Sequence, residues 1–563
     1  MNKNKRLSKS LFAFCAFATF AQLNYADTQP SEYKTNIGGD WFTSSTWNML
    51  NPATSYPNDN TTAFCVEGSN KTLTLNENVT VGRMIGGGGN FDNTQLVGTG
   101  AITFDVLYDS TNSYAYAASA LWGHGSLTYS NKGGVVYTSS DKTEGWDDNV
   151  GIKIFNTKAG AANSQTLTFD TSLVATDVTS MYGKSADLST VNFNGQTRLT
   201  TYHINAGTTN FNGTVLFDKI NVKSASVANF SGNITSGVIS SASGTVNFTG
   251  DYTLENASAN ISSIGTTGNG IVNFNHRGVI TTGAHYYENS SKTFIADGAT
   301  VAIDSSAEAA NSWGVLYLIQ TGGSSVFTVS GKIDASDYAG SSTDVQLIRN
   351  WGNIVLNSTA EIIGTGKISN IMYMGRSSKL TINGNATISG KLNQLDMNQQ
   401  KTTGSSLILN NSKTLANFKL IAKKDTAGGD GTTSDTLTNS LITVSGDSAF
   451  GTLGFAQAND QFTIDLADCT LLTLNTLYSD SNANGNKGKI VFTNFKSGVV
   501  YVKDVSNINL DTFSDYVMTD IEGVILTIKD NYIVDSAIPE PSAMVVILGT
   551  FVLGLVYVRR QKK

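Results

Sequence analysis

The sequence predicts an all-β fold: a long right-handed parallel β-solenoid, or β-helix, ending in a single C-terminal transmembrane helix. Three observations predict it. An Asn-Phe pentapeptide recurs every 18 to 26 residues in the middle of the 563-residue chain. The 481 residues between Pro57 and Pro539 contain no proline. An apolar run from Ala543 to Val558 is followed directly by a basic cluster.

In chain order, residues 1–26 read as a secretory signal peptide. Lys3, Lys5, Arg6 and Lys9 form a positive head, an apolar run spans Leu11 to Ala21, and small residues near Ala26 suit cleavage. The run is shorter than the roughly 20 apolar residues that span a bilayer. Cys15 raises a lipoprotein site, but Phe14 stands before it where a small residue is needed.

Residues 27–89 read as an N-terminal cap and first coil. Gly39-Asp40-Trp41, Ser45-Thr46-Trp47-Asn48, Pro57-Asn58 and the run from Thr72 to Gly89 are its landmarks. Trp41, Phe42 and Trp47 suit the apolar end of a tube, where strand edges would otherwise be unpaired. These residues are similar to the opening of autotransporter-like bacterial β-helix proteins. Self-transport does not carry over, because the chain ends in one basic helix instead of the outer-membrane barrel it would need.

Residues 90–536 read as the solenoid array with inserted loops. Val191-Asn192-Phe193-Asn194-Gly195 is repeated as Thr209 to Gly213, Ala228 to Gly232, Val246 to Gly250 and, less closely, Val272 to Asn275. The phenylalanines fall 18, 19, 18 and 26 residues apart, close to one solenoid turn. Strand alternation puts Val191 and Phe193 on one face and Asn192 on the other. Stacking then aligns Asn192, Asn210, Asn229, Asn247 and Asn273 as an amide ladder. The glycines are expected to supply unusual backbone angles at a corner. A β-sandwich or propeller is the competing reading, but both need frequent tight reversals. Proline exclusion fits uninterrupted ladders, because proline removes a backbone donor. Disorder is disfavoured by a hydrophobic content of 40% in recurring clusters.

Residues 537–563 form the last segment. Pro539-Glu540-Pro541 precedes the apolar helix 543–558 and the basic end 559–563. Sixteen helical residues reach about 24 Å, short but adequate with their flanks. The basic end favours the cytoplasmic side and leaves the rest outside. An ordinary membrane anchor would look alike physically. The order of parts closely resembles the PEP-CTERM sorting signal, whose triplet is processed by an exosortase, a membrane-embedded thiol protease. The resemblance implies that Pro539, Glu540 and Pro541 are the sorting motif and an exosortase-type protease is a partner. It also implies transient inner-membrane anchoring, then a cell-surface or matrix location beside extracellular polysaccharide.

Charge excludes one function class. With both terminal segments set aside, 29 basic and 43 acidic residues remain, a net charge of −14. Nucleic-acid binding needs the opposite balance. Cys65 and Cys469 have no metal-ligand spacing, and about 20 stacked coils would place them on the order of 100 Å apart at most. His124, His203, His276 and His285 read as surface or loop residues without metal spacing. Asp480-Ser481-Asn482-Ala483-Asn484-Gly485 starts like a calcium loop, yet Val491 stands where a bidentate glutamate belongs. Asp147 and Asp148 are neighbours and point to opposite faces of a strand. Without a coil-to-coil column of Asp, Arg or Lys, no catalytic, cofactor or metal site is expected. The expected role is structural or adhesive, with glycan contact through outward polar rows. The alternative is a β-helix polysaccharide lyase or hydrolase.

Overall fold

The computed structural model describes residues 31–537, apart from 50–55, 87–92, 108–118, 122–124, 141–150, 158–164, 183–188, 224, 236, 255–263, 268, 281–284, 288–290, 313–314, 341–344, 376, 391–392, 401–402, 425–437, 457–459 and 479–487. The fold is all-β and consists of long parallel ladders, as in a β-helix. Each coil contributes to three faces. In one coil these are Arg83–Gly86, Thr94–Val97 and Ile102–Asp105, paired in parallel with their counterparts in the coils before and after.

The second face can be followed without a break. It runs from Gly39–Asp40 through Thr72–Thr74 and Thr190–Phe193 to Lys489–Thr493 and Val517–Thr519, nineteen levels among the described residues. At about 4.8 Å per level the stack is roughly 85 Å long. The clear repeats are its most regular part. Thr190–Phe193, Thr208–Phe211, Val227–Phe230, Thr245–Phe248 and Ile271–Phe274 pair residue for residue, each alternating outward and buried positions.

The buried phenylalanines lie in one column, as the sequence predicts. Ring centroids are 5.2, 4.7, 5.3 and 5.2 Å apart from Phe193 to Phe274, with interplanar angles of 20° or less. Backbone ladder and aromatic stack therefore share nearly one spacing, so neither strains the other. Phe169 and Tyr129 extend the column upstream at 5.3 and 5.1 Å. Downstream it continues as Ile295, Val329 and Leu356. Aliphatic residues fill the same slot where loops lengthen the coil.

At the N-terminal end Trp41 and Trp47 are buried against Phe64, both edge-on at 5.0 and 6.4 Å. Trp41 Nε1 donates to the Pro57 carbonyl at 2.9 Å, and Trp47 Nε1 donates to the Trp41 carbonyl at 2.7 Å. Both indole donors are thereby satisfied inside an apolar cluster. Phe42 is only half-buried and packs on Tyr56. At the other end the chain reverses. Leu526–Lys529 and Tyr532–Asp535 form an antiparallel hairpin whose second strand pairs antiparallel with Val500–Asp504. Asp530 and Asn531 take φ of 49° and 67°, the left-handed pair that a two-residue hairpin turn requires. Reversal replaces the parallel edge of the last coil with a local pairing.

Among the described residues no helix is long and apolar enough to cross a membrane. The expected signal 1–26, the triplet Pro539-Glu540-Pro541 and the apolar segment 543–558 lie outside the described residues.

Candidate ligand-contact face

The outward side of the second face carries the asparagines. Asn210 Nδ2 donates to Asn192 Oδ1 at 2.8 Å, Asn229 to Asn210 at 2.8 Å, Asn247 to Asn229 at 2.7 Å and Asn273 to Asn247 at 2.6 Å. Asn192 in turn donates to Thr168 Oγ1 at 3.1 Å. The expected amide ladder is therefore present over five consecutive coils. All five asparagines are half-buried. A second row runs along the adjacent corner, from Asn212 to Asn194 to Asp170, at 2.8 and 2.6 Å. The same corner carries Asn410, Asn383 and Asn357 farther along, at 2.8 and 3.2 Å.

The corner glycines work differently from expectation. Gly195, Gly213, Gly232 and Gly250 are not among the residues with positive φ. Instead, a Cβ added at each would meet a carbonyl oxygen of the preceding coil at 2.0 to 2.3 Å. Their role is to let adjacent backbones approach, not to adopt left-handed angles.

The histidines also depart from the sequence reading in one case. His203 is buried within the strand Thr197–Ile204, with Nδ1 3.2 Å from Asn221 Nδ2. Its alternation was masked because the long strand bends at a corner and Tyr202, His203 and Ile204 are all buried. His276 is exposed and pairs with Asp251 at 2.9 Å. His285 lies in the strand His285–Tyr287, and His124 lies outside the described residues. So do Asp147, Asp148 and the string Asp480 to Gly485. Among the described residues no group of three or more His, Cys, Asp or Glu side chains is placed to hold a metal ion.

Cys65 and Cys469 are both buried, and neither is part of a disulfide. The ladder register puts fifteen levels between their coils, roughly 70 Å, so no bridge joins them. The inserted loops shorten the separation from its upper bound.

A polar column on the first face is the feature that the sequence reading missed. Arg349, Tyr373 and Asp396 stand in register in three successive coils, with Gln320 one coil earlier. Each follows a core residue, Ile319, Ile348, Met372 or Leu395, and none of the four belongs to the apolar core cluster. All four are nonetheless buried, Arg349 to 1% exposure. The Arg349 guanidinium lies 5.1 Å from the Trp351 ring and 5.7 Å from the Tyr317 ring, a cation–π arrangement. Burial raises the Tyr317 phenol above its ordinary range, against the opposing effect of Arg349. Gln394 donates to Asp396 at 2.6 Å. Burial lowers the nearby Lys419 ammonium, against the attraction of Asp396. The column is a mixed polar one, with its one Arg and one Asp two coils apart and Tyr373 between them, and not a stack of Asp, Arg or Lys on successive coils. The detectable signal was Leu347-Ile348-Arg349, Ile371-Met372-Tyr373 and Gln394-Leu395-Asp396, recurring at 24 and 23 residues.

Chemically the half-buried asparagine row and the buried Arg349 column differ. The asparagine face offers an ordered array of amide donors and acceptors without charge. The Arg349 column supplies one cation and one carboxylate, whereas acid–base cleavage of a glycosidic bond ordinarily uses a carboxylate pair. No protein-family model, curated protein or solved structure matches this chain.

Proposed function

We propose that the chain is an exported bacterial surface protein that serves as a rigid structural or adhesive element in an envelope layer, biofilm or polysaccharide matrix. The supporting observation is the unbroken second face, nineteen levels of parallel pairing that make one long, stiff body. In this reading the coil is right-handed, residues 1–26 direct export, and the segment 543–558 anchors the chain briefly in the inner membrane. An exosortase-type protease then acts at Pro539-Glu540-Pro541. The half-buried asparagine and threonine rows keep the rod hydrated and give it glycan-contacting capacity.

The Arg349 column favours a second reading, a polysaccharide lyase or hydrolase. The two readings separate in one experiment. The full chain, purified in mild detergent, is incubated with a panel of neutral and acidic polysaccharides, and chain length is followed. The structural reading expects no cleavage. Reproducible cleavage that disappears in Asp396→Asn or Arg349→Lys would establish the enzyme instead.

A further inference from the structure

We infer that the asparagine ladder, together with Phe294, forms a contact site for an uncharged linear polysaccharide lying along the axis of the rod. The inference rests on the adhesive reading above and deepens it by naming the site and the ligand class.

Three features support it. First, the ladder uses one N–H and one lone pair of each interior amide, Asn210, Asn229 and Asn247, for its neighbours. A primary amide has two N–H groups and two acceptor lone pairs, so each interior asparagine retains one of each. The ladder fixes their direction before any ligand arrives, which reduces the ordering cost of binding. They repeat at about 4.8 Å, and from Asn192 to Phe294 the row extends on the order of 24 Å. That leaves room for a short run of pyranose rings with hydroxyls facing donors and acceptors in turn.

Second, the row ends on a ring. Phe294 follows Asn273 in register and is 38% exposed, one of two exposed aromatic side chains among the described residues. A lone exposed ring would need no explanation. In line with five laddered amides, it supplies an apolar platform for the C–H face of a sugar.

Third, the flanks of the five asparagines themselves carry no charge, and charge enters at the two ends of the row, where Lys292 stands in register beside Phe294 and Asp170 accepts from Asn194. On either side of the ladder the outward positions are Thr190, Thr208, Val227, Thr245 and Ile271, then Asn194, Asn212, Ser231, Thr249 and Asn275. In a chain of net charge −7 the stretch along the five asparagines is neutral, and that suits a neutral ligand over an acidic one.

The test uses the full chain in mild detergent, with cellohexaose as the neutral probe and an oligogalacturonate of equal length as the charged probe. Cellohexaose is expected to bind more tightly than the charged oligomer. Phe294→Ala should weaken it about tenfold, the scale of one aromatic contact, while Phe294→Tyr should leave it within about twofold. Asn229→Leu should weaken it, whereas Asn383→Leu, in the distant corner row, should not. Unchanged binding in Phe294→Ala would overturn the site, as would equal losses in Phe294→Ala and Phe294→Tyr. Preference for the charged oligomer, or no binding of cellohexaose, would overturn the ligand class. A chain that reaches the surface yet fails here loses this contact site and keeps its structural role.

Discussion

Phe230 lies over Phe211 with ring centroids 4.7 Å apart and planes 5° from parallel. The separation matches the spacing of the strands that carry them, so the side-chain stack and the hydrogen-bonded ladder reinforce each other. Both rings are completely buried. Truncating Phe211 to alanine removes contacts with the coils above and below. It is expected to cost about 3–5 kcal/mol, a loss that is local to neighbouring coils in a repeat architecture. Denaturant unfolding followed by hydrogen exchange would show protection falling first in residues 190–230.

Gly213 and Gly366 give opposite expectations for the same substitution. At Gly213 a Cβ would sit 2.2 Å from the Gly195 carbonyl oxygen, and backbone on both coils must move. At Gly366 nothing lies within 4 Å, and the residue does not have positive φ. Gly213→Ala should lower the melting temperature clearly. Gly366→Ala should be neutral or slightly stabilising, by about 0.4–1 kcal/mol through reduced unfolded-state entropy. Two thermal melts suffice to compare them.

Cys469 makes stability depend on pH at the alkaline end. Burial pushes its thiol up to about 11 from the ordinary value of 9.0, with Lys496 opposing. The unfolded chain therefore loses its proton first as pH rises, and binds fewer protons than the folded chain in that window. Stability from this group is full below about pH 9 and is lost as pH climbs through about 11. Cys469→Ser should flatten that part of the curve. At pH 8 the native thiol should react with a thiol reagent only as fast as the chain opens.

Register fixes one long distance. Asp170 and Asn411 both lie at the exposed corner after the second face, ten levels apart. Spin labels at these two positions should report a separation of about 50 Å by electron–electron resonance. A sandwich or propeller would give a different value, because it would not place these corners on one axis.

Legibility followed the regularity of the coils. From residue 190 to 275 the period is nearly constant, and Val-Asn-Phe-Asn-Gly identifies core, outward row and corner at once. There the Phe column and amide ladder were readable directly. The glycines were located correctly with the wrong cause, since a dihedral demand and a close approach look identical in sequence. Beyond Phe274 the loops vary, so the alignment of Arg349, Tyr373 and Asp396 was hidden although each follows an apolar pair or residue. Strand bends at corners also broke the period-two rule. Ile371 and Met372 are adjacent and both in the core, as are Leu347 and Ile348. His203 was misread for the same reason.

The most direct test of the account is the intact mass of the chain recovered from the cell surface or medium, compared with that of a variant in which Pro539, Glu540 and Pro541 are all changed to alanine. The wild-type chain should lack residues 1–26 and the segment beyond the triplet. The variant should remain as a longer species in the inner membrane. A wild-type chain retained in the cytoplasm at full length, or a variant that reaches the surface at normal size and amount, would contradict the proposed export and sorting.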